Sequence, residues 1–331
     1  MISYLLAFLC SFMLSLILMP LIIKQMKQKN ASQTILGYVE NHKEKNGTPT
    51  MGGVVFMITT LLLSFLFLDF SLSWFVVLIV SVFFGILGFM DDFLQIKFKQ
   101  NLGLRAYQKI IGQVGISLIF AIFVYFSTQG GYIFLPFSEK VVNIHAWIIP
   151  LIVLVMVATT NSVNLTDGLD GLAGNVSNVY LIFFVAVITL LQNNLFNAGE
   201  TGLIIQNMGN INILSMLFVG ATLGFLIFNT NKASIFMGDA GSLCLGGYIG
   251  ASACILGQEL LIPILGFCFV FSSISVILQV AHFKMTRKRI FKMAPFHHHL
   301  QMSGASEPKI VTIYSSITAC LGVITIIFYL L

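Results

Sequence analysis

The residues best suited to chemistry lie in one short polar stretch, 161–175 (NSVNLTDGLDGLAGN), between two long apolar segments. It holds two carboxylates, Asp167 and Asp170, together with Asn161, Asn164 and three glycines. A charged side chain at the centre of a lipid-facing helix costs about 2.5–3.5 kcal/mol on insertion scales. The stretch is therefore either a Gly-rich turn between membrane helices or a site whose glycines let backbone approach a ligand.

A second pair of carboxylates, Asp91 and Asp92, closes the apolar segment that ends in GFMDD. Adjacent residues on a helix point about 100° apart, which favours two separate roles over joint binding of one ion. Repulsion between neighbouring carboxylates can raise the pKa of one of them, which suits a general base. The alternative is a solvated helix end, but a carboxylate at a helix C-terminus opposes the helix dipole.

A further carboxylate, Asp239, lies between Gly238 and Gly241 in the sequence NTNKASIFMGDAGS, where we predict the start of a helix. At such a position a carboxylate can bind Mg²⁺ beside backbone N–H groups that favour phosphate. An aspartate that only caps the helix is the alternative.

Two other loops carry groups suited to phosphate. APFHHH places His297, His298 and His299 after the basic run KMTRKRIFK, and three consecutive histidines lack the spacing of a zinc site. Imidazoles beside Lys and Arg suit phosphate oxygens better, although a basic loop attracted to anionic lipid is an alternative. HKEKNGTPTMGG brings Lys45 close to the hydroxyl of Thr50, unless it is only a juxtamembrane turn.

The elements that position these groups must be membrane helices. Of 331 residues, 57% are hydrophobic and 9% are charged, whereas about a quarter of a soluble domain is charged. The first apolar run ends in lysines and lacks a small-residue cleavage site. The five cysteines lie in apolar segments without paired spacing, so we interpret them as core residues. We predict an all-α integral membrane protein with a single polytopic domain, residues 1–331.

Apolar windows of about twenty residues, long enough to cross about 30 Å of hydrocarbon, predict ten transmembrane helices. They lie near 3–23, 52–68, 72–90, 108–127, 145–162, 172–191, 210–228, 240–257, 260–282 and 310–330. The Gly-rich window 240–257 is the weakest of the ten.

Charge is divided unevenly between the two sets of loops. All of the 17 basic residues except Lys140 fall on one set. The positive-inside rule places that set in the cytoplasm and both termini outside. The five aspartates of the motifs above abut span ends on this side, which predicts an active site on the cytoplasmic face. We interpret the outer acidic residues as solvating short turns: Asp69, Glu139, Glu200 and Glu259.

The motifs together match a known family. GTPTMGG, GFMDD, NLTDGLDGLA, FMGDAGS and PFHHH occur in this order across essentially the whole chain. On these motifs the chain resembles the polyprenyl-phosphate N-acetylhexosamine-1-phosphate transferases, and within them the muramoyl-pentapeptide branch. The resemblance implies a Mg²⁺-dependent reaction at the bacterial plasma membrane. Undecaprenyl phosphate attacks the sugar-bearing phosphate of UDP-N-acetylmuramoyl-pentapeptide, giving UMP and lipid I for peptidoglycan synthesis.

The resemblance also implies roles for individual residues. Asp91, Asp92, Asp239 and His297 are expected to be catalytic, with Asp239 the Mg²⁺ ligand and His297 at the phosphate. The expected donor-binding positions are Lys45, Thr50, Asn164, Asp167, Gly168, Leu169, Asp170, Phe236, Gly238, His298 and His299. Phe236 would stack on uracil. The bilayer is the other implied partner, a homodimer fits the family, and no nucleic acid is expected.

The chain departs from the family pattern in two places. Members often carry Lys three residues after the second aspartate of the pair, where this chain has Gln95. Lys97 or Lys99 could supply the missing phosphate contact. Gln301 stands two places after the histidines, where an acidic residue is often found.

Three alternatives stay open at this point. Relatives that transfer N-acetylglucosamine-1-phosphate share the aspartates, although the GTPTMGG turn and the unbroken histidine run favour the muramoyl-pentapeptide branch. A secondary transporter would bring polar groups to the bilayer midplane, often in repeated halves. A lipid-binding scaffold would not require the carboxylates. Turnover in detergent, without a sealed compartment, would separate an enzyme from a transporter.

Overall fold

The computed structural model describes residues 2–29, 47–98, 103–128, 130–138, 140–197 and 203–331. Lys45 and Lys99 lie outside these residues, as do Glu139 and Glu200, so the predictions made for them stay predictions.

The described residues are mainly α-helical. The helices are α1 (Ile2–Gln28), α2 (Val54–Phe67), α3 (Leu72–Phe98), α4 (Ala106–Ser127), α5 (Ile148–Thr166), α6 (Leu172–Asn197), α7 (Leu203–Asn229), α8 (Gly238–Ile255), α9 (Ile262–Leu265), α10 (Phe267–Thr286), α11 (Phe296–Gln301) and α12 (Glu307–Leu330). A short hairpin, which the sequence did not predict, connects α4 to α5. Its strands β1 (Tyr132–Phe134) and β2 (Val141–Asn143) are antiparallel, with Tyr132 opposite Asn143.

Eight of the described helices are long and apolar enough to cross a membrane: α1, α3, α4, α5, α6, α7, α10 and α12. The α2 helix is apolar but has only 14 residues, and α8 is not apolar enough to count among the eight. The prediction of an all-α integral membrane protein is confirmed. The count of ten spans and the outward orientation of both termini stay predictions.

The α8 helix forms the buried centre of the bundle. It is rich in small residues (GDAGSLCLGGYIGASACI), and its residues from Ala240 to Ile255 are buried. The α3 and α5 helices pack along it, and small residues let membrane helices approach closely. A Cβ atom on Gly88 of α3 would lie 2.1 Å from the carbonyl oxygen of Asp239. The Asp239 end of α8 therefore lies directly against the turn of α3 that precedes Asp91 and Asp92.

Two predictions about the chain that follows α8 are wrong. The window 260–282 is not one helix, because α9 ends at Leu265 and α10 begins at Phe267, with Gly266 between them. Pro263 lies in the first turn of α9, where its missing N–H costs nothing. Glu259 does not solvate a turn: only 2% of it is exposed, and burial raises the pKa of its carboxyl to about 8.

Candidate active site

Three carboxylates meet where α3 crosses the start of α8. Asp91 and Asp92 are buried near the end of α3, and Asp239 is the partly exposed second residue of α8. One oxygen from each lies within 4.8 Å of the others. The divergence of adjacent residues on α3 therefore does not prevent Asp91 and Asp92 from reaching one ion, contrary to the sequence argument.

Asp92 connects the two helices. Its Oδ1 accepts the backbone N–H of Asp239 and its Oδ2 that of Ala240, each at 3.1 Å. Backbone N–H groups in the first turn of a helix have no acceptor within that helix, and the helix dipole favours a carboxylate there. The side chain that caps α8 thus comes from α3, and Asp92 sets the position of Asp239 in addition to any direct role.

Gly238, immediately before Asp239, leaves no room for a side chain. Its φ is +74°, and a Cβ there would lie 2.5 Å from Asp92 Oδ2 and 2.8 Å from Thr50 Oγ1. Thr50 is buried, and its hydroxyl has no hydrogen-bond partner among the described residues. The structure therefore brings Gly238 and Thr50 to the carboxylates.

Asp91 is held from two sides. Its Oδ1 accepts the backbone N–H of Leu104 at 2.9 Å, and its Oδ2 accepts Gln95 Nε2 at 2.7 Å. Gln95, the departure from the family pattern, is thus a direct partner of Asp91. Lys97 is exposed, with its ammonium 5.9 Å from the ring centre of Phe93.

Two other helices contribute side chains that bind the carboxylate of Asp239. Its Oδ2 forms an ion pair with the ammonium of Lys109 on α4, and its Oδ1 accepts Asn164 Nδ2 of α5 at 2.8 Å. In the sequence, Lys109 is one of the 16 basic residues that fall on the predicted cytoplasmic side. A lysine in the first turn of a membrane helix can extend its ammonium to the interface without a partner, so the sequence carried no signal for this ion pair.

The cluster fits a hard divalent cation. Three carboxylates supply the oxygen ligands that Mg²⁺ prefers, all within 4.8 Å. When the three are ionised, Lys109 offsets only one of their charges. A divalent cation would balance the other two, and Asp239 is the most exposed of the three carboxylates.

The loop that follows α5 packs against the loop that precedes α8. Gly171 donates its backbone N–H to Asn229 Oδ1 at 3.0 Å, and Asp170 Oδ2 accepts the backbone N–H of Ala233 at 3.2 Å. Leu169, which immediately precedes Asp170, is buried. The carboxyl of Asp170 therefore helps to hold the two loops together.

The GTPTMGG segment joins this arrangement through its backbone. Phe236 donates its N–H to Pro49 O at 2.8 Å and accepts the N–H of Gly52 at 2.9 Å. Phe236 itself is half-buried. Three loops that are distant in sequence thus meet beside the carboxylates.

Asp167 lies just after the end of α5 and keeps part of its surface exposed. Burial is the main cause of a pKa well above the usual range for this carboxyl, and the charges of Asp239, Asp92 and Asp170 raise it further. Asp167 is therefore within electrostatic reach of the cluster.

The three consecutive histidines contact two different parts of the protein. His297 is fully buried, and a Cβ on Gly168 would lie 2.4 Å from its Nε2 and 2.9 Å from that of His298. The Nδ1 of His299 instead accepts the backbone N–H of Lys292 at 3.1 Å, and its ring stacks on Phe296. His297 and His298 thus contact the Asp167 loop, whereas the described contacts of His299 are with its own segment.

Burial lowers the pKa of His297 to about 3 from its usual 6.5, with His298 a smaller cause. Between these values the folded protein binds fewer protons than the unfolded chain, so stability falls as the pH drops from 6.5 toward 3. We expect acidification to about pH 5 to cost the wild type about 1–2 kcal/mol more than His297→Leu. Thermal unfolding of both proteins at neutral pH and at pH 5 measures this; equal pH dependence would contradict it.

Comparisons with known proteins show which family the chain belongs to. The family model "Glycosyl transferase family 4" matches residues 74–257, and "Phospho-N-acetylmuramoyl-pentapeptide-transferase signature 1" matches 45–57. The chain is 40% identical over 321 residues to the phospho-N-acetylmuramoyl-pentapeptide-transferase of Clostridioides difficile strain 630. The alignment covers 96% of this chain and 95% of the relative.

Two further relatives carry the same name. That of Clostridium botulinum strain Alaska E43 is 42% identical over 323 residues, covering 96% of this chain and 94% of the relative. That of Halalkalibacterium halodurans is 37% identical over 316 residues, covering 94% and 92%.

The membrane helices and the family match define a multi-pass glycosyl-1-phosphate transferase of the bacterial plasma membrane. Within that class, the chain belongs to the phospho-N-acetylmuramoyl-pentapeptide-transferase family.

Proposed function

We propose that this chain transfers phospho-N-acetylmuramoyl-pentapeptide from its UDP conjugate to undecaprenyl phosphate, releasing UMP and forming lipid I. The observation that carries the proposal is the group of Asp91, Asp92 and Asp239, whose oxygens lie within 4.8 Å of one another. It lies at a helix crossing in a membrane protein of this family. We treat residues 1–331 as one domain, because the site draws on helices from across the chain.

Asp239, with Asp91 and Asp92 beside it, would hold Mg²⁺. When bound, the ion would neutralise the diphosphate oxygens and stabilise the departing phosphate of UMP. Asn164 and Lys109 keep the two oxygens of Asp239 in place. Lys109 also offers a positive charge to the donor phosphates.

We assign to Asp91 the removal of a proton from undecaprenyl phosphate, followed by direct attack of that phosphate on the donor. The carboxylate of Asp91 is oriented by Gln95 and by the Leu104 N–H. A general base contributes about 10²–10⁴-fold to rate. A covalent aspartyl intermediate is the competing path.

The uridine would bind beside the loops that follow α5 and precede α8. We assign donor binding to the positions that the family resemblance names: Lys45, Thr50, Asn164, Asp167, Gly168, Leu169, Asp170, Phe236, Gly238, His298 and His299. Supporting this, Phe236 is half-buried, and its backbone is fixed by Pro49 and Gly52. The same resemblance assigns His297 to the phosphate site, where it is buried beside Gly168.

We expect Phe236→Ala to weaken the binding of uridine-containing inhibitors by about tenfold or more. Stacking between a base and an aromatic ring is worth about 1–3 kcal/mol in nucleic-acid complexes. The dissociation constant, measured in detergent by calorimetry, provides the test. Phe75→Ala is the matched control, since Phe75 is also half-buried but lies near the other end of α3. Unchanged affinity for Phe236→Ala would remove this residue from the site.

Release of UMP from UDP-N-acetylmuramoyl-pentapeptide, with and without undecaprenyl phosphate, tests the proposed function. In detergent we expect multiple turnovers only when the acceptor is present. A burst of one UMP per protein without acceptor would support the covalent path. No turnover with acceptor and Mg²⁺ would contradict the proposal and favour transport or lipid binding. The homodimer stays a prediction, which the mass of the detergent-solubilised protein would test.

A further inference from the structure

We propose that Gln113 and Asn161 form a positioning pair that places Lys109 and Asn164 on Asp239. The inference rests on the proposed function, because it assumes that Asp239 holds the catalytic metal.

The two amides bind each other across the contact between α4 and α5. Asn161 Nδ2 donates to Gln113 Oε1 at 2.7 Å, and Gln113 Nε2 donates to Asn161 Oδ1 at 3.4 Å. Gln113 is fully buried. Asn161 Nδ2 also donates to the carbonyl oxygen of Val157 at 2.7 Å, which fixes the amide against its own helix.

The residues that bind Asp239 lie one helical turn away from the amide pair, one on each helix. Lys109 precedes Gln113 by four positions on α4, and Asn164 follows Asn161 by three positions on α5. Residues at these spacings share one face of a helix. The amide pair and the two contacts to Asp239 therefore lie along the same helix–helix seam.

This arrangement determines the rotation of α4 relative to α5. Membrane helices associate through close packing and interhelical hydrogen bonds, and a hydrogen bond between two amides adds a directional constraint to that packing. Rotating either helix would leave a buried amide without its partner, which is costly in an apolar setting. The rotation that satisfies both amides also brings Lys109 to Asp239 Oδ2 and Asn164 to Oδ1.

Gln113 and Asn161 have no described hydrogen bond to Asp91, Asp92 or Asp239, so they would act through Lys109 and Asn164. Supporting partners of metal ligands typically change metal affinity or activity by about 10–100-fold. A pair that serves only stability would instead change neither.

The test uses Gln113→Leu and Asn161→Leu in the full-length protein in detergent. We expect kcat to fall about tenfold and the Mg²⁺ concentration for half-maximal thermal stabilisation to rise about tenfold. Thermal stabilisation by Mg²⁺ is measured without substrates, so it reports Mg²⁺ binding independently of turnover. The KM for the UDP donor should change much less than kcat.

Asn212→Leu is the matched control. Asn212 on α7 donates to Thr189 Oγ1 on α6 at 3.1 Å, away from the carboxylates. This variant should lose stability while keeping wild-type kcat and Mg²⁺ dependence. If Gln113→Leu and Asn161→Leu behave like Asn212→Leu, the pair is only structural and the inference is wrong.

A reciprocal exchange covers the case in which the leucine variants do not fold. Gln113→Asn alone shortens the bridge and should weaken the Mg²⁺ response, and adding Asn161→Gln restores its length and should recover most of that response. No recovery would overturn the pairing. Absence of both turnover and Mg²⁺ stabilisation in the unaltered protein would instead overturn the proposed function.

Discussion

Asp239→Asn is expected to lower turnover by more than about a hundredfold while the protein stays folded. Even a partner of a metal ligand is worth about 10–100-fold, and this change removes the charge of the ligand itself. The amide keeps the shape of the side chain, so the contact with Asn164 can be retained. Lipid I formation across a range of Mg²⁺ concentrations, together with thermal unfolding, measures the effect.

Asp69→Asn is the matched control for this change, because Asp69 is exposed and precedes the other end of α3. It should leave turnover unchanged. Full activity of Asp239→Asn at ordinary Mg²⁺ would contradict the assignment of Asp239 as the metal ligand.

Asp91→Asn is expected to lower kcat by about 10²–10⁴-fold, the usual range for a general base. Neither KM should rise comparably. The loss should shrink as the assay pH is raised, because a phosphate monoester loses its second proton near pH 6 without help. Steady-state kinetics at several pH values would show both effects.

Gln95→Ala provides the comparison for Asp91. It removes the amide that bonds Asp91 Oδ2 but leaves the carboxylate, so we expect a smaller loss of about tenfold. If Asp91→Asn raises a KM and leaves kcat unchanged, Asp91 is a binding residue and not the base.

Much of the fold could be predicted from the sequence because membrane helices are long and apolar. The exceptions have physical causes. The α8 helix is too rich in small residues to resemble a lipid-facing span, because α3 and α5 cover it. The break at Gly266 and the burial of Glu259 depend on packing beyond the C-terminal end of α8. Hydropathy does not encode this packing.

The candidate site was predicted in part. Five aspartates at span ends pointed to one site, and the structure brings three of them together: Asp91, Asp92 and Asp239. The pairing of Lys109 with Asp239 could not be predicted, since the positive-inside rule accounts for a lysine there without any partner. The contact of Gln95 with Asp91 could not be predicted either, because glutamine carries no charge that would point to a carboxylate partner.

The most direct test of the account is the choice of donor. UDP-N-acetylmuramoyl-pentapeptide and UDP-N-acetylglucosamine would be offered separately, each with undecaprenyl phosphate and Mg²⁺, to the protein in detergent. Mass spectrometry would then identify the lipid product. We predict lipid I and UMP from the first donor and negligible product from the second. Efficient formation of an N-acetylglucosaminyl lipid, without lipid I, would contradict the proposed function.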